Sequence, residues 1–286
     1  MKYAWMKKYQ KEFEIELMCQ LFDVSKSGYY ASLKRAPSKR KVRRAEALIV
    51  IKNVHQESRE TYGSPRVYQE LKSQGFKLCE NTIAKWMNQE GIRSKTSRKF
   101  VLKTTDSKHD YPVAKNVLNR DFKADAPNQK WVVDITYVQT DEGWLFLAGV
   151  LDLFSRKVVG WSMADHMRTE LVEDAMKMAL ARRNPGKGLL HHSDRGSQYA
   201  CGSYRQLLSA HGFECSMSRT GNCYDNAVME SFWGTLKTEC VYGEKYATRE
   251  QARRSIFEYL EVFYNRVRRH SALGYVSPEA FEAAIN

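Results

Sequence analysis

Residues 131–163 read WVVDITYVQTDEGWLFLAGVLDLFSRKVVGWSM, and this stretch decides the fold class. It holds three runs rich in Val, Ile, Trp and Phe, which are typical of β-strands. Asp141-Glu142-Gly143 and Ser155-Arg156 separate the runs, and residues of these types favour turns. Because strands joined by short turns pair antiparallel, the stretch predicts a three-stranded meander.

The sequence after this meander alternates between helix and strand patterns. The pattern predicts a helix, a short buried strand, a second helix, a second short strand and two longer helices. These segments are TELVEDAMKMALARR (169–183), GLLHHSD (188–194), SYRQLLSAHG (203–212), FECSMS (213–218), a helix begun by Asp225-Asn226 and reaching about Cys240, and a helix from about Thr248 to Asn265. Together with the meander, they predict an α/β domain with a mixed five-stranded sheet and flanking helices.

The sequence before the meander predicts helices only. Residues 12–35 favour two short helices around a turn, with Ser25 or Ser27 as cap, and residues 44–57 favour another. The intervening basic stretch, residues 36–46, has the composition of a hinge.

A further pair of helices is predicted between residues 64 and 91. Ser64 and Pro65 begin the first, which ends at Gly75, and Asn81 or Glu80 begins the second, which ends at Gly91. Two helices joined by a short glycine-containing turn are typical of a helix-turn-helix, although any helical hairpin gives the same pattern. Residues 93–125 are polar, basic and poor in large apolar side chains, and we interpret them as a linker.

The charge of the protein is concentrated in its first part. The formal net charge is +13, with 26 Lys and Arg against 12 Asp and Glu in residues 1–120, and 20 against 21 in residues 121–286. Such an imbalance favours a polyanionic partner, because neutralised phosphates release counterions. Nucleic acid is the leading candidate. A membrane surface is the alternative, which no strongly amphipathic basic helix supports.

Cysteine usage and hydropathy indicate the cellular compartment in which the protein is expected. The six cysteines are scattered, with no C-x-x-C pair and no zinc spacing, and therefore predict reduced thiols in a cytosolic protein. No signal peptide and no apolar run long enough to span a bilayer is present in the sequence.

Three carboxylates fall at informative positions of the predicted sheet. Asp134 interrupts a strand in which Asp is a poor β-former, Asp194 ends a buried strand, and Glu230 lies one turn into a helix. Hard divalent cations require oxygen ligands, and paired ions catalyse phosphodiester chemistry. Taken singly, each carboxylate has an ordinary structural explanation, so the interpretation depends on their arrangement over two strands and the following helix.

The helix that contains Glu230 has a second feature. At about 100° per residue, Asn226, Glu230, Trp233 and Lys237 share one helix face. Lys237 can therefore reach the same phosphate as a metal held by Glu230.

At these residues the chain resembles the DDE transposases of bacterial insertion sequences, in particular the group whose catalytic protein is encoded by a second reading frame. The resemblance covers most of the chain from about residue 60. The matching stretches are YGSPRVYQELKSQGFKLCENTIAKWMNQEGI, WVVDITYV, LDLFSRKVVGWSM, HHSDRGSQY, SRTGNCYDNAVMESFWGTLKTE and YNRVRRHSALGYVSPEAF.

The resemblance implies an RNase H-like fold related to retroviral integrases, with Asp134, Asp194 and Glu230 as metal ligands. The expected cofactor is two Mg²⁺ ions, which Mn²⁺ can replace, with Asp134 shared between them. The expected reaction is strand cleavage and strand transfer at the ends of an insertion sequence. Expected DNA contacts are Lys237, Asn226, Arg195, Arg266, Arg268, Arg66 and Lys85.

The expected domains follow from the same reading. They are a small helical segment that resembles a helix-turn-helix (1–42), a helix-turn-helix DNA-binding domain (43–98), a linker (99–125), and an RNase H-like catalytic domain with a C-terminal helical extension (126–286).

The expected partners are the terminal inverted repeats, target DNA and at least a second copy of the chain. In this group an upstream reading frame often supplies a further helix-turn-helix and a leucine zipper by frameshift fusion. Neither is evident here, so we expect the chain to be the catalytic portion, in the bacterial cytoplasm and at the nucleoid when bound to DNA.

Several residues keep two interpretations. Either His191 or His192 faces Asp194, or both are structural. Asp152 most simply caps a turn. Arg266, Arg268, Arg269 and His270 bind phosphate or form a solvated helix end. Trp131, Phe232 and Trp233 fit a core better than a base-stacking surface. A DNA-binding scaffold and a nuclease without strand transfer are the competing functions.

Overall fold

The computed structural model of the chain describes residues 2–95, 111–220 and 222–285. It contains two compact units, Met1–Lys52 and Asn53–Asn286. Of the predicted linker, 99–125, residues 99–110 lie outside the described residues. No helix in the described ranges is long and apolar enough to cross a bilayer.

The first unit is helical. It contains α1 (Lys2–Tyr9), α2 (Ile15–Leu21), α3 (Lys26–Lys34) and the first part of α4 (Lys39–Glu57). Its core consists of Met6, Met18, Cys19 and Tyr29. The Ser25 hydroxyl accepts a hydrogen bond from the Gly28 amide at 3.0 Å, which confirms the predicted cap of α3.

The hinge predicted at residues 36–46 is mostly wrong, since α4 already begins at Lys39. The run Lys39-Arg40-Lys41 continues as helix because Lys and Arg are strong helix formers and their charges point into solvent. Only the short stretch that follows the C-cap Arg35 stays outside a helix.

The second unit begins with the predicted helix pair, α5 (Ser64–Ser73) and α6 (Glu80–Gln89). Pro65 lies in the first turn of α5, as predicted, although the N-cap is Gly63 and not Ser64. Gly75 and Gly91 follow the two helices with φ of +84° and +71°, which only glycine adopts without strain. The buried faces are Val67 and Leu71 on α5 and Ile83 and Met87 on α6.

The sheet has the predicted five strands. They are β1 (Lys130–Thr140), β2 (Gly143–Asp152), β3 (Val158–Ala164), β4 (Leu190–Ser193) and β5 (Glu214–Met217). The spatial order is β3-β2-β1-β4-β5. The first three strands pair antiparallel, and β4 and β5 continue the sheet in parallel with β1. This order and these directions are those of an RNase H-like fold, so the predicted fold class is confirmed.

Helices cover the sheet and follow it in the chain. They are α7 (Thr169–Arg183), α8 (Ser197–Ala200), α9 (Gly202–Ala210), α10 (Ala227–Leu236), α11 (Arg249–Phe257) and α12 (Pro278–Ala283). A Cβ at Gly160 would lie 2.2 Å from the Ala175 carbonyl oxygen, so this glycine lets α7 pack directly on β3.

The two long helices predicted at 225–240 and 248–265 are present, but each changes its winding. The segment Lys237–Val241 continues α10 as a π-helix, and Glu258–Tyr264 continues α11 in the same way. Helical periodicity predicts the helix without predicting this change, because a π-turn depends on the packing around it.

The described part of the predicted linker is packed on the sheet. The amides of Val117 and Leu118 donate to Ser216 Oγ at 2.9 and 3.0 Å, and Leu118 is buried. Most of residues 111–120 are exposed, and Leu118 with the hydrogen bonds to Ser216 Oγ anchors the segment at the edge strand β5.

Candidate active site

Two of the predicted carboxylates lie on neighbouring strands. Asp134 is near the middle of β1, and Asp194 directly follows β4. In the parallel pairing of these strands, Val132 lies opposite His192. Continuing that register by two residues brings Asp134 and Asp194 to the same level of the sheet.

Local hydrogen bonds orient Asp194. The Gly196 amide donates to Asp194 Oδ1 at 2.9 Å, and the Ser193 hydroxyl donates to the Asp194 carbonyl at 2.8 Å. A Cβ at Gly196 would lie 3.0 Å from Asp194 Oδ1, so a larger residue there would crowd the carboxylate.

The third carboxylate, Glu230, lies in the first turn of α10, and this helix contacts β1 along its length. Asn226 Nδ2 donates to the Val133 carbonyl at 3.1 Å, Trp233 Nε1 donates to Asp134 Oδ2 at 3.1 Å, and Lys237 Nζ lies 4.7 Å from the centroid of the Tyr137 ring. Of the predicted common face, Asn226, Trp233 and Lys237 therefore contact β1, and Glu230 interacts electrostatically with Asp134 on that strand.

The three carboxylates interact electrostatically. Burial raises the pKa of Asp134 well above its ordinary value, and the charges of Asp194 and Glu230 raise it further. Burial and Asp194 also raise the pKa of Glu230, while Lys237 opposes the shift. Burial lowers the pKa of Lys237, against the charges of Glu230 and Asp134. The three carboxylates therefore disfavour one another's charged forms, and Lys237 partly offsets this effect at Glu230.

This donor set fits a divalent metal ion in its chemistry, since carboxylate oxygens are the ligands of Mg²⁺ and a cation would relieve the repulsion among them. Within the described ranges, however, no group of three or more His, Cys, Asp or Glu side chains forms a ready-made metal site. Glu230 is the most exposed of the three carboxylates.

Trp233 is a site residue that the sequence did not reveal. Its indole contacts Asp134 in a space that depends on Gly149, the residue opposite Asp134 in β2. A Cβ at Gly149 would lie 2.8 Å from Trp233 Cη2 and 2.9 Å from Met229 Cε. A tryptophan on the same helix face as a candidate metal ligand was the available signal, but we interpreted it as core.

Asp225 anchors the loop before α10. It is fully buried and accepts hydrogen bonds from Arg219 Nε and NH2, from Arg120 Nε and from Asn116 Nδ2 at 2.7–2.9 Å. The Arg219 guanidinium holds the pKa of this carboxyl well below its usual range. The pairing joins the segment before the sheet to the start of the helix that contains Glu230.

Both histidines of the HHSD motif are structural. Nε2 of His191 lies 2.9 Å from the Tyr204 hydroxyl, and the two ring nitrogens of His192 lie 2.8 and 3.1 Å from Ser216 Oγ and Ser218 Oγ. Burial lowers the pKa of His191 to about 3 and that of His192 to about 4, so both are neutral at pH 7.

Asp152 caps a turn as predicted. It accepts from the Phe154 amide at 3.0 Å and also from the Asn128 amide and Arg183. Trp131 and Phe232 are buried, which agrees with their interpretation as core, whereas Trp233 is buried and also donates to Asp134.

Two predicted DNA contacts need correction. Arg268 is buried in an ion pair with Glu239, with Nε and NH2 at 2.6 and 2.7 Å from its carboxylate oxygens. Asn226 is also buried, and it holds the backbone of β1. Both side chains are buried and are therefore not available to DNA. The prediction failed because a polar residue type does not reveal which way its side chain points.

The other predicted contacts differ in exposure. Lys85 is exposed on α6, and Arg266 is exposed with Glu279 at 3.7 Å. Arg66 is half-buried and donates to the Arg269 carbonyl at 2.9 Å. Arg195 is partly exposed and braces the loop after β5 through the Ser218 carbonyl and the Thr220 hydroxyl, both at 2.7 Å.

Comparison with known proteins agrees with this architecture. Residues 124–223 and 211–278 match models of an integrase core domain, and residues 42–100 match a model of an HTH-like domain. Transposase InsF of insertion sequence IS3A from Escherichia coli (strain K12) is 45% identical over 284 residues, 99% of this chain and 98% of InsF. A 31 kDa protein of insertion element IS600 from Shigella sonnei is 48% identical over 264 residues, 92% of this chain and 97% of that protein.

Solved structures are more distant. The HTLV-2 integrase catalytic core domain in complex with magnesium has 13% sequence identity and a TM-score of 0.42, covering 56% of this chain and 99% of that one.

The fold, the paired acidic strands and the helix-turn-helix region define the class of this protein as a DDE transposase with an integrase core, a DNA-binding enzyme that transfers polynucleotide strands. Within that class, the chain belongs to the IS3 family of insertion-sequence transposases.

Proposed function

We propose that Asp134, Asp194 and Glu230 are the catalytic carboxylates of this transposase and that they act on the ends of an insertion sequence. The observation that supports this most directly is the convergence of three carboxylates from β1, the end of β4 and α10, with Asp134 interacting with the other two.

The proposed reaction has two steps. A water oxygen attacks a phosphodiester at the element end, the bond from phosphorus to the 3′ oxygen breaks, and a free 3′-OH remains. That 3′-OH then attacks a phosphodiester of the target DNA, forms a new bond to phosphorus and releases the target's own 3′ oxygen. Neither step needs a covalent bond between protein and DNA.

The three carboxylates would hold the divalent metal, Mg²⁺ or Mn²⁺. The full proposal is two ions, with Asp134 shared between them. When bound, the metal supplies Lewis-acid stabilisation of charge on the phosphate and favours the deprotonated form of the attacking oxygen. Glu230 would turn towards Asp134 and Asp194 to complete this site, a rotamer change that its exposure permits.

The protein's own groups prepare the site. The Trp233 indole N–H holds Asp134 Oδ2, and the Gly196 amide holds Asp194 Oδ1, so that the remaining lone pairs are directed to the ligand. Lys237, two turns after Glu230 and beside the Tyr137 ring, provides a cation for a non-bridging phosphate oxygen.

DNA recognition is assigned to the basic helical region. Asn81, Lys85 and Asn88 lie on one exposed face of α6, opposite the buried Ile83 and Met87. Amide and ammonium groups at this spacing suit contacts to base edges and phosphates in a major groove. Arg266, Arg195 and the exposed side of Arg66 are the further proposed phosphate contacts.

The proposal extends to partners and location. Since two element ends must be joined to one target, the active assembly contains at least two copies of the chain. An upstream reading-frame product or frameshift fusion is a proposed partner. The expected location is the bacterial cytoplasm, at the nucleoid when bound to DNA. The domain limits 1–42, 43–98, 99–125 and 126–286 are also part of the proposal.

The test is a strand-transfer assay on labelled terminal-repeat DNA with Mg²⁺, Mn²⁺ or EDTA. Wild type and Glu230→Gln are compared with Glu214→Gln, which removes an exposed acid of β5. We expect metal-dependent joined products from wild type and Glu214→Gln and none from Glu230→Gln. Cleavage without joining would favour a nuclease, and binding to terminal repeats without cleavage would favour a DNA-binding scaffold.

A further inference from the structure

The segment after the last π-helix contains two adjacent arginines that bind different parts of the second unit. Arg269 binds α5, and Arg268 binds the extension of α10. Each contact is a two-pronged ion pair, which restricts orientation as well as distance.

Arg269 is joined to the helix-turn-helix region through both side chain and backbone. Its Nε and NH2 donate to the two carboxylate oxygens of Glu70 at 2.6 and 3.0 Å. Its amide donates to the Tyr62 hydroxyl at 2.7 Å, and its carbonyl accepts from Arg66 Nε at 2.9 Å. Since Tyr62 and Arg66 border or lie within α5, this single residue has three points of attachment to the start of the helix pair.

Arg268 is joined to the catalytic helix. Its partner, Glu239, lies in the π-helical continuation of α10, two residues after Lys237 and nine after Glu230. The Tyr259 hydroxyl donates to the same carboxylate at 2.8 Å, and both members of the ion pair are almost fully buried. Removing one partner of such a pair leaves a buried charge, so the contact holds a single geometry.

The two contacts are one peptide bond apart, so they connect α5 to α10 by a short and rigid route. Around them, the Tyr62 ring packs against Phe263 with centroids 6.4 Å apart, and Arg59 pairs with Glu258. The face of α6 that exposes Asn81, Lys85 and Asn88 is therefore connected, through the neighbouring helix α5, to the helix that contains Glu230.

We propose that the Glu70–Arg269 and Arg268–Glu239 pairs form a clamp that sets the distance between the DNA sequence read by α6 and the phosphodiester that is cleaved. The inference rests on the proposed function, because it needs α6 to read DNA and the three carboxylates to cut it. It assigns Glu70 and Arg269 as positioning residues that touch neither substrate nor metal.

A rigid link has a measurable consequence. With the clamp intact, binding of the terminal sequence brings one phosphodiester to the active site. With the clamp broken, α6 still binds its sequence, but several neighbouring phosphodiesters can reach the carboxylates. A displacement of about 1 Å between bound substrate and catalytic groups is enough to lower a rate about 100-fold.

The experiment uses the full chain and three variants of the exposed side of the clamp: Glu70→Gln, Arg269→Lys and the exchange Glu70→Arg with Arg269→Glu. Arg254→Gln is the matched control, because it removes an exposed Arg–Glu pair that lies within α11 alone. Fluorescence anisotropy measures binding to terminal-repeat DNA, and end-labelled substrate resolved at single nucleotides measures the position of each cut. Hydrogen exchange of the amides in β1 to β3 verifies that each variant is folded.

We expect Glu70→Gln and Arg269→Lys to bind terminal-repeat DNA within about threefold of wild type, since the lost contact is not to DNA. We expect cleavage at the wild-type position to fall about 10- to 100-fold, with cuts spread over neighbouring positions. The exchange variant should regain part of the specific cleavage, and hydrogen exchange in α5 and α6 should increase only in the two single variants.

Two results would overturn the inference. In the first, wild type cuts at one position and Glu70→Gln cuts there at the rate of Arg254→Gln. This result would contradict the clamp and leave the proposed function intact. In the second, wild type neither binds terminal repeats nor cuts them. This result would contradict both the proposed function and the clamp.

Discussion

Trp233 Nε1 donates a hydrogen bond to Asp134 Oδ2 at 3.1 Å, across 99 positions of sequence. The contact joins α10 to the middle of β1 and holds one oxygen of Asp134, whose pKa is raised well above its ordinary value. It is possible because Gly149, opposite Asp134 on β2, has no side chain to occupy the position of the indole.

The first prediction concerns this hydrogen bond. Replacing Trp233 with Phe keeps an aromatic ring in the core and removes the donor, so Asp134 loses its orientation. Hydrogen bonds to metal-binding carboxylates typically contribute about 10- to 100-fold to activity or metal affinity, and we expect a loss of strand cleavage in that range. The matched control is Trp161→Phe, which removes a different indole hydrogen bond, the one that Trp161 donates to Glu261. Equal activity of the two variants in a cleavage assay would contradict the orienting role of Trp233.

The second prediction concerns Gly149. An alanine there would bring a Cβ to 2.8 Å from the Trp233 ring and 2.9 Å from Met229, so the helix or the indole must move. Overpacking of this kind costs about 1–3 kcal/mol, and we expect the free energy of unfolding in urea to fall by that amount together with activity. Gly234→Ala, in α10 with open space around it, should instead raise stability by up to about 1 kcal/mol. Unchanged stability in Gly149→Ala would show that the site accommodates a methyl group.

The third prediction concerns the loss of stability caused by repulsion among the three carboxylates. Asp134→Asn removes one of three like charges, so its melting temperature in EDTA should exceed that of wild type. One kcal/mol corresponds to about 2–4 °C for a domain of this size. Saturating Mg²⁺ should stabilise wild type, because a ligand at 100 times its Kd contributes about 2.7 kcal/mol, and should have little effect on the variant. Asp174→Asn, on an exposed turn of α7, is the control. The same Mg²⁺ response in wild type and Asp134→Asn would exclude Asp134 as a metal ligand.

The fourth prediction is a pH dependence of stability. Burial, with the positive charges of Arg268, Arg156 and Arg66, lowers the pKa of His270 to about 4. The unfolded chain, with an ordinary histidine pKa near 6.5, therefore binds a proton that the folded protein rejects. Stability from the neutral ring is present above pH 6.5 and is lost as the pH falls towards 4, with a full effect of about 3 kcal/mol.

The measurement is the free energy of unfolding in urea at pH 7.5 and pH 5 for wild type and His270→Gln. We expect wild type to lose more stability than the variant between these values. His211→Gln, which replaces an exposed histidine, should behave as wild type. If wild type and His270→Gln lose stability in parallel, protonation of His270 does not contribute.

The sequence alone determined the elements and the class of fold. The runs rich in Val, Ile, Trp and Phe in 131–163 and the helix pattern in 169–183 are local, and each produced the expected strand or helix. The three carboxylates were recognisable only as a set, from their arrangement over two strands and the following helix, because each one alone has an ordinary structural explanation.

Only the tertiary structure decided which polar side chains face the site and which are buried. Asn226 and Arg268 have the composition of DNA contacts, yet one holds the backbone of β1 and the other holds Glu239. Trp233 looked like core and also donates a hydrogen bond to Asp134, and Leu118 anchors a segment that looked like linker. The reason is physical: periodicity records neighbours two to four residues apart, whereas the partner of a buried polar group is selected by packing between elements far apart in the chain.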